Sequence, residues 1–159
     1  MVEPGVTGPV AVMAVAAVLG SGVVAGVLFA VALSVLPALF AMPINRYIYT
    51  HQLLGRNWDP TMPVIVLSSF ALDVALAMLT TGAHRVLAAA GAILLLGVSA
   101  VSHLANVPIN RRVKAVEDPE APPASWTDPR PLWRRWHLLR TALAMMALLV
   151  NALALVVAF

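Results

Sequence analysis

The sequence predicts an all-α integral membrane protein that folds as an antiparallel four-helix bundle. Of its 159 residues, 61% are hydrophobic and only 11% are charged, whereas soluble domains carry about 25% charged residues. Four apolar stretches are each long enough to cross the hydrocarbon core, which needs about 20 residues. Short or polar connections make consecutive helices antiparallel. The predicted spans of this single domain are residues 10–36, 60–79, 86–107 and 131–157.

An interfacial segment is predicted after the first span. Pro43 punctuates the end of the first helix, because proline is poorly tolerated inside helices. Residues 44–59 are amphipathic and contain two tyrosines and a tryptophan. Aromatic rings of this kind favour the level of the lipid headgroups. The second span is therefore predicted to open only at Pro60.

The distribution of basic residues predicts the orientation in the membrane. Nine of them fall on one side of the predicted bundle, and only Arg85 falls on the other. Cytoplasmic loops carry the excess of lysine and arginine. Both large loops are therefore expected in the cytoplasm and both termini outside, in a multi-pass protein of the cell membrane. The nine are Arg46, Arg56, Arg111, Arg112, Lys114, Arg130, Arg134, Arg135 and Arg140.

Two polar stripes interrupt the apolar spans near their cytoplasmic ends. Their helical spacing places each stripe on one face of its helix, and the two faces can meet across the bundle mouth. The stripe on the third helix, at i, i+3 and i+7, contains His103, Asn106 and Asn110. The stripe on the fourth helix, at i, i+3, i+4 and i+7, contains Trp133, Trp136, His137 and Arg140.

The stripes have a structural explanation as well as a functional one. Arg140 lies about two turns inside its helix, where an unpaired guanidinium is costly, so we expect it to bond Asn106 or Asn110. Pro108 removes a helical hydrogen bond and frees the carbonyl of Leu104, so part of the polarity could serve the backbone. The residues alone leave both explanations open.

A second polar layer is predicted deeper in the bundle. Asp73 lies 13 residues beyond Pro60, and Asn151 lies 14 residues beyond His137. At about 1.5 Å per residue, both reach a depth of about 20 Å from the cytoplasmic edge. A hydrogen bond between Asp73 and Asn151 is expected, with a structural role favoured over a functional one.

Metal binding is an alternative use of the histidines. His51, His103 and His137 fall on the same predicted side, and three imidazoles suffice to bind a transition metal. The sequence contains no His-x-His, His-x-x-x-His or Glu-x-x-His pair. We therefore expect no cofactor, with haem or a transition metal on these three histidines as the alternative.

The order of these motifs resembles that of a known family. The second half of the chain carries the motifs Asn106-Val107-Pro108-Ile109-Asn110, Trp126 and Trp133-x-x-Trp136-His137-x-x-Arg140-Thr141. The first half carries Gly22-x-x-x-Gly26 with Phe29, then Pro37, then the segment Gln52 to Pro60. Together these resemble the anthrone oxygenase-like family of small four-helix membrane proteins, over nearly the whole chain.

The resemblance implies a chemistry. Some members are linked to the oxygenation of anthrones to anthraquinones without a bound cofactor. If that chemistry applies, His137 is the candidate base, because imidazole commonly transfers protons near neutrality. Arg140 would stabilise the resulting anion. The residues expected to bind the hydrophobic substrate are His103, Asn106, Asn110, Trp133 and Trp136.

Three alternative functions therefore remain open from the sequence. The first is a cofactor-independent membrane oxygenase that acts on an anthrone- or quinol-type substrate. The second is a haem- or metal-binding redox protein. The third is a non-catalytic subunit that holds a partner, or a second copy of the chain, through the small-residue face of Gly22 and Gly26. Nucleic-acid binding is not predicted, because the basic residues follow the membrane face.

Overall fold

The structure, a computed structural model, describes residues 8–157 and contains four long helices. All four are long and apolar enough to cross a membrane, and no strand occurs in the described range. The protein is therefore an integral membrane protein with the predicted all-α architecture, and each predicted span lies inside one helix. The helices are α1 (Gly8–Ala41), α2 (Ile44–Leu79), α3 (Gly82–Lys114) and α4 (Arg130–Val157). The predicted location of both termini concerns residues outside the described range.

The four helices form a closed ring. Each packs against its neighbour in sequence, and α4 packs against α1. The interior faces carry small residues such as Ala17, Ala25 and Ala144, all nearly inaccessible, while large side chains such as Leu19 and Ile93 face outward with 66% and 70% exposure. Small residues let helix backbones approach closely when lipid removes the hydrophobic driving force between helices.

The glycine pair of α1 has two different surroundings. A Cβ at Gly22 would lie 3.7 Å from the Leu148 side chain of α4, so this glycine packs within its own bundle. A Cβ at Gly26 would meet nothing within 4 Å. Of the small-residue face predicted to bind a partner, only the end at Gly26 is therefore open.

The α2 helix runs without a break through the predicted interfacial segment. It starts at Ile44 and contains Pro60 and Pro63 in its interior, so the segment predicted to be interfacial is helical and continuous with the second span. A helix tolerates proline when other groups satisfy freed carbonyls locally. The Thr61 hydroxyl donates to the Asn57 carbonyl over 2.7 Å, one residue beyond the Arg56 carbonyl that Pro60 frees.

Two π-helical turns lie at the same spacing before a proline. Val31–Val35 precedes Pro37 in α1, and Ser102–Asn106 precedes Pro108 in α3. A proline ring collides with the carbonyl four residues earlier, and a π turn hydrogen-bonds to the carbonyl five residues earlier instead. Both helices therefore continue past the proline.

Long polar side chains cap the helix ends at the loop end of the bundle, where residues 115–129 connect α3 to α4. Arg130 Nη1 donates to the carbonyls of Leu39 and Met42 at the end of α1, over 2.9 and 2.8 Å. Gln52 donates to two carbonyls at the end of α3, over 3.2 and 2.8 Å. The Arg130 guanidinium also binds Asp128. These bonds satisfy carbonyls that a helix end leaves free.

The deeper polar layer forms as predicted. Asn151 Nδ2 donates to Asp73 Oδ2 over 3.2 Å and to the Ser21 hydroxyl over 3.3 Å. Asp73 is fully buried. Gly91 packs directly against this layer, where only glycine fits. A Cβ at this position would lie 2.5 Å from Asn151 Oδ1 and 2.7 Å from Asp73 Oδ2. Hydrogen bonds thus join α1, α2 and α4 in this layer, and α3 packs closely against it through Gly91.

Replacing Gly91 should disturb this layer. Gly91→Ala is expected to lower the free energy of unfolding by about 1–3 kcal/mol, because overpacking forces the amide and the carboxyl apart. Gly26→Ala is the matched control, and it should be neutral or stabilising, since alanine has the higher helix propensity. Thermal unfolding in detergent micelles measures both. Equal behaviour of the two variants would contradict the prediction.

The ion pair at the loop end should make stability depend on pH. Burial acts to raise the pKa of Asp128, but hydrogen bonds from the Arg130 side chain and backbone outweigh it and hold the pKa below the ordinary 3.8. The pair therefore stabilises the fold above pH 3.8, and this contribution is lost as the pH falls through the lowered pKa. Asp128→Asn should be less stable than the wild type at pH 7, and the difference should shrink in acid. Melting temperatures across the acid range test this.

Candidate functional site

A cavity of about 540 Å³ lies between the four helices, in the half of the bundle nearest the 115–129 loop. This volume is in the range of small-molecule sites. The deep part of its wall is apolar and includes Val27, Val66 and Val98. Both π turns contribute to the wall, through Val31 and Val35 in α1 and through Ser102 and His103 in α3. Polar side chains gather toward the loop end.

Arg140 brings a positive charge to this wall. Its Nε and Nη2 lie 3.2 and 2.9 Å from His137 Nδ1, and its Nη1 donates to the Ser102 hydroxyl over 3.3 Å. Among residues 8–157, the ion pairs join Lys114 to Asp59 and Arg130 to Asp128, so no carboxylate lies within ion-pair distance of Arg140. A guanidinium has five N–H donors, and donors therefore remain for a ligand. The arrangement suits an anion.

His137 holds Arg140 in place. The imidazole is fully buried, and its Nε2 lies 3.0 Å from the Leu28 carbonyl. A carbonyl only accepts, so Nε2 carries the hydrogen and Nδ1 accepts from Arg140. Both ring nitrogens are therefore occupied, and the ring is absent from the cavity wall. The predicted role of His137 as general base does not fit this geometry; positioning Arg140 does.

Asn110 is a hydrogen-bonding centre between α2, α3 and α4. Its Oδ1 accepts from Trp133 Nε1 over 3.0 Å and lies 3.1 Å from His51 Nε2. Because an indole nitrogen only donates, this contact orients the amide with its oxygen toward Trp133. The amide nitrogen then has no protein partner among the described residues, and Asn110 lines the cavity. Its N–H groups can donate to a ligand oxygen.

Aromatic rings form a column beside Asn110, which we call the aromatic column. It runs Tyr47, His51, Trp133, His137, with centroid separations of 5.5, 5.4 and 5.1 Å. The first two contacts are edge-to-face, and Trp133 stacks on His137. Such contacts add to the area that aromatic side chains bury. The column fixes the Trp133 indole at the cavity wall.

His103 is one of two imidazoles on the cavity wall, beside His51, and one of its nitrogens is available. Its Nδ1 lies 2.9 Å from the Ser99 carbonyl, so Nδ1 carries the hydrogen and Nε2 keeps its lone pair. Within the described range, Nε2 has no protein partner. His103 lies in the π turn of α3 and is exposed toward the cavity opening. It is placed to accept a proton from a ligand.

Two further predicted site residues, besides His137, lie outside the cavity. Asn106 is fully buried and donates from Nδ2 to the Trp133 carbonyl over 3.3 Å. Trp136 faces outward with 37% exposure. The bond expected from Arg140 to Asn106 or Asn110 is also wrong, since His137 and Ser102 take that place. A π turn adds a residue to the helical turn, which rotates later positions away from α-helical spacing.

The histidines do not form a metal-binding set. No group of three or more His, Asp or Glu side chains in residues 8–157 is arranged to hold a metal ion. His51 and His103 both line the cavity, whereas His137 is turned into the bundle. The predicted convergence of the three imidazoles on one ion is therefore wrong.

Charged residues at the cavity mouth were not among the predicted site residues. Lys114 and Asp59 form an ion pair across α3 and α2, and Arg111 lies one turn from Lys114 on the same wall. Ser102, the partner of Arg140, was also missed. The signal for Ser102 was present, since it stands four residues before Asn106 and extends the polar stripe. The indication for the charged residues at the cavity mouth was weaker in the sequence, because charges at helix ends are usually solvated.

Comparison with known proteins identifies one family. A family profile described as "Anthrone oxygenase" matches residues 50–150, which is most of the chain and covers most of α2, all of α3 and much of α4. The match includes the Asn110, Trp133 and Arg140 positions of the cavity. No curated protein and no solved structure matches the chain.

The two tryptophans of α4 should differ in their effect on stability. Trp133→Phe keeps a ring in the aromatic column but removes the donor to Asn110, and should cost about 1 kcal/mol of unfolding free energy. Trp136→Phe is the matched control and should change it by less than about 0.5 kcal/mol. Reversible unfolding in mixed micelles compares the variants. A larger loss for Trp136→Phe would contradict the placement of the two rings.

Proposed function

Because the chain belongs to the anthrone oxygenase family, we propose that it oxidises a hydrophobic aromatic substrate of anthrone or quinol type with O₂ in this cavity. The observation that carries the proposal is Arg140, a guanidinium without a carboxylate partner on the wall of a largely apolar cavity. Where little water screens the charge, such a group strongly stabilises an organic anion. The reaction needs no bound cofactor.

The proposed reaction converts a methylene group and O₂ into a carbonyl group and water. A base removes one C–H proton, and the negative charge of the resulting carbanion is delocalised onto the carbonyl oxygen of the central ring. The anion reduces O₂ by one electron, and the two radicals join to form a carbon–oxygen bond. The resulting peroxide accepts the proton. Loss of the remaining C–H proton then forms the carbonyl group and breaks the O–O bond. The hydroxide that leaves combines with that proton to give water.

Each wall residue has a role in this scheme. His103 Nε2 takes the C–H proton and returns it to the peroxide, because its lone pair is available at the wall. Arg140 stabilises the anion and the peroxide oxygen. The Asn110 amide donates to a substrate oxygen, and the Trp133 indole packs on a flat ring. His137 acts through Arg140 as a positioning residue.

The location of the site fits a substrate dissolved in lipid. The deep wall lies among the apolar segments of the helices, while the mouth is charged. A hydrophobic polycycle can enter from the bilayer or from the mouth. The nine-to-one distribution of basic residues supports a mouth on the cytoplasmic side.

Removing the Arg140 charge should abolish most catalysis. Arg140→Gln is expected to lower kcat/KM about 10²–10³-fold, because a preorganised charge at the developing anion is lost. Arg135→Gln, an exposed arginine on the same helix, is the matched control and should keep the wild-type rate. O₂ uptake with 1,8-dihydroxyanthrone in nanodiscs measures the rate above that of empty discs. Wild-type rates in a folded Arg140→Gln protein would overturn the proposal.

The base should be open to chemical rescue. His103→Ala is expected to lower kcat about 100-fold, and added imidazole should restore part of the rate by entering the vacated space. His137→Ala should also lose activity, but imidazole should not restore it, because that ring is buried and its role is to hold Arg140. Rescue of His137→Ala alone would move the base back to His137.

A further inference from the structure

We propose that the natural substrate carries a second acidic group, a carboxylate, which binds at the cavity mouth beside Arg111 and Lys114. The inference rests on the proposed function and adds a substrate class to it: an anthrone-type polycycle that forms its oxyanion on the central ring and carries a carboxylate on a terminal ring.

The charges on the cavity wall are the first observation. Three cationic side chains and one carboxylate line it, namely Arg111, Lys114, Arg140 and Asp59. With neutral histidines, the wall therefore carries a net charge of three minus one, or +2. Lys114 pairs with Asp59, so within the described residues Arg111 and Arg140 are both without a carboxylate. A ligand with one negative charge neutralises only one of them.

The spacing along α3 is the second observation. Arg140 contacts Ser102, and Arg111 lies nine residues further along the same helix. At about 1.5 Å per residue, this places the two positions about 13 Å apart along the axis. A single small anion cannot reach both positions, whereas a rigid three-ring skeleton with an oxyanion on its central ring and a carboxylate on a terminal ring can present a charge toward each.

The shape of the mouth is the third observation. A Cβ at Gly55 would lie 3.0 Å from Asp59 Oδ2 and 3.1 Å from Lys114 Nζ. Glycine at this position therefore lets the ion pair lie against the α2 backbone on the cavity wall. An ammonium has three donors, so Lys114 can bind Asp59 and a ligand carboxylate together. Arg111 supplies the charge that remains uncompensated.

A matched ligand pair and a matched variant pair test the inference. The ligands are anthraquinone-2-carboxylate and its methyl ester, whose binding is followed by quenching of tryptophan fluorescence. The protein is held in nanodiscs of zwitterionic phosphatidylcholine. Arg111→Gln and Arg112→Gln remove the same charge from adjacent exposed positions, but only Arg111 lines the cavity. Partition into the lipid is the same for both variants and cancels in the comparison.

Arg111→Gln should weaken binding of the carboxylate about fivefold, the effect expected of an exposed charge pair, and change binding of the ester less than twofold. Arg112→Gln should bind both ligands as the wild type does. An equal effect of the two variants on the carboxylate would overturn the inference.

A lipid phosphate is the other oxyanion that could occupy the mouth. In discs that also contain phosphatidylglycerol, the wild-type affinity for the carboxylate should stay within twofold. If the anionic lipid abolishes the effect of Arg111→Gln, the mouth binds headgroups and the inference is overturned. The proposed function fails separately, if the wild type does not accelerate O₂ uptake by the uncarboxylated 1,8-dihydroxyanthrone.

Discussion

The constraint on which the site depends is the Arg140 guanidinium, a positive charge inside an apolar bundle without a carboxylate beside it. An isolated charge at this depth is costly, so the surrounding residues are arranged to hold it. His137 turns its lone pair toward Arg140 and its N–H toward the Leu28 carbonyl, and Ser102 adds a hydroxyl. The charge is thus held but not neutralised. A protein that only needed stability would gain by replacing such a group with hydrocarbon.

The cavity beside Arg140 follows from irregular backbone in two helices. Prolines at 37 and 108 each follow a π turn at the same distance, and both turns contribute to the cavity wall. Irregular backbone in a membrane is tolerated where it lines a cavity or is covered by protein. The turn in α3 also places Ser102 and His103 at the wall while Asn106 faces α4. The prolines therefore shape the site without contacting a ligand.

Aromatic packing connects the residues around Arg140 to the loop end of the bundle. The aromatic column links Arg140, through His137 and Trp133, to Tyr47 on α2. Arg130 lies over the Tyr47 ring at 4.9 Å and also caps the end of α1. Cation–π and capping contacts at one point join three helices. The loop end of the bundle is therefore held by contacts that join three of its helices.

The sequence by itself determined the class, the four helices and the deep polar pair. Hydrophobic length decides which segments can span a membrane. The constant rise per residue of a regular helix placed Asp73 and Asn151 at the same depth, where they form a hydrogen bond. Only the tertiary structure decided the partners of Arg140, the outward position of Trp136 and the buried role of His137. The spacing argument assumed an uninterrupted 3.6-residue period. The π turn at Ser102–Asn106 broke that period in α3. In α4, which is uninterrupted, contacts with Leu28 of α1 and Ser102 of α3 decided how His137 and Arg140 are used.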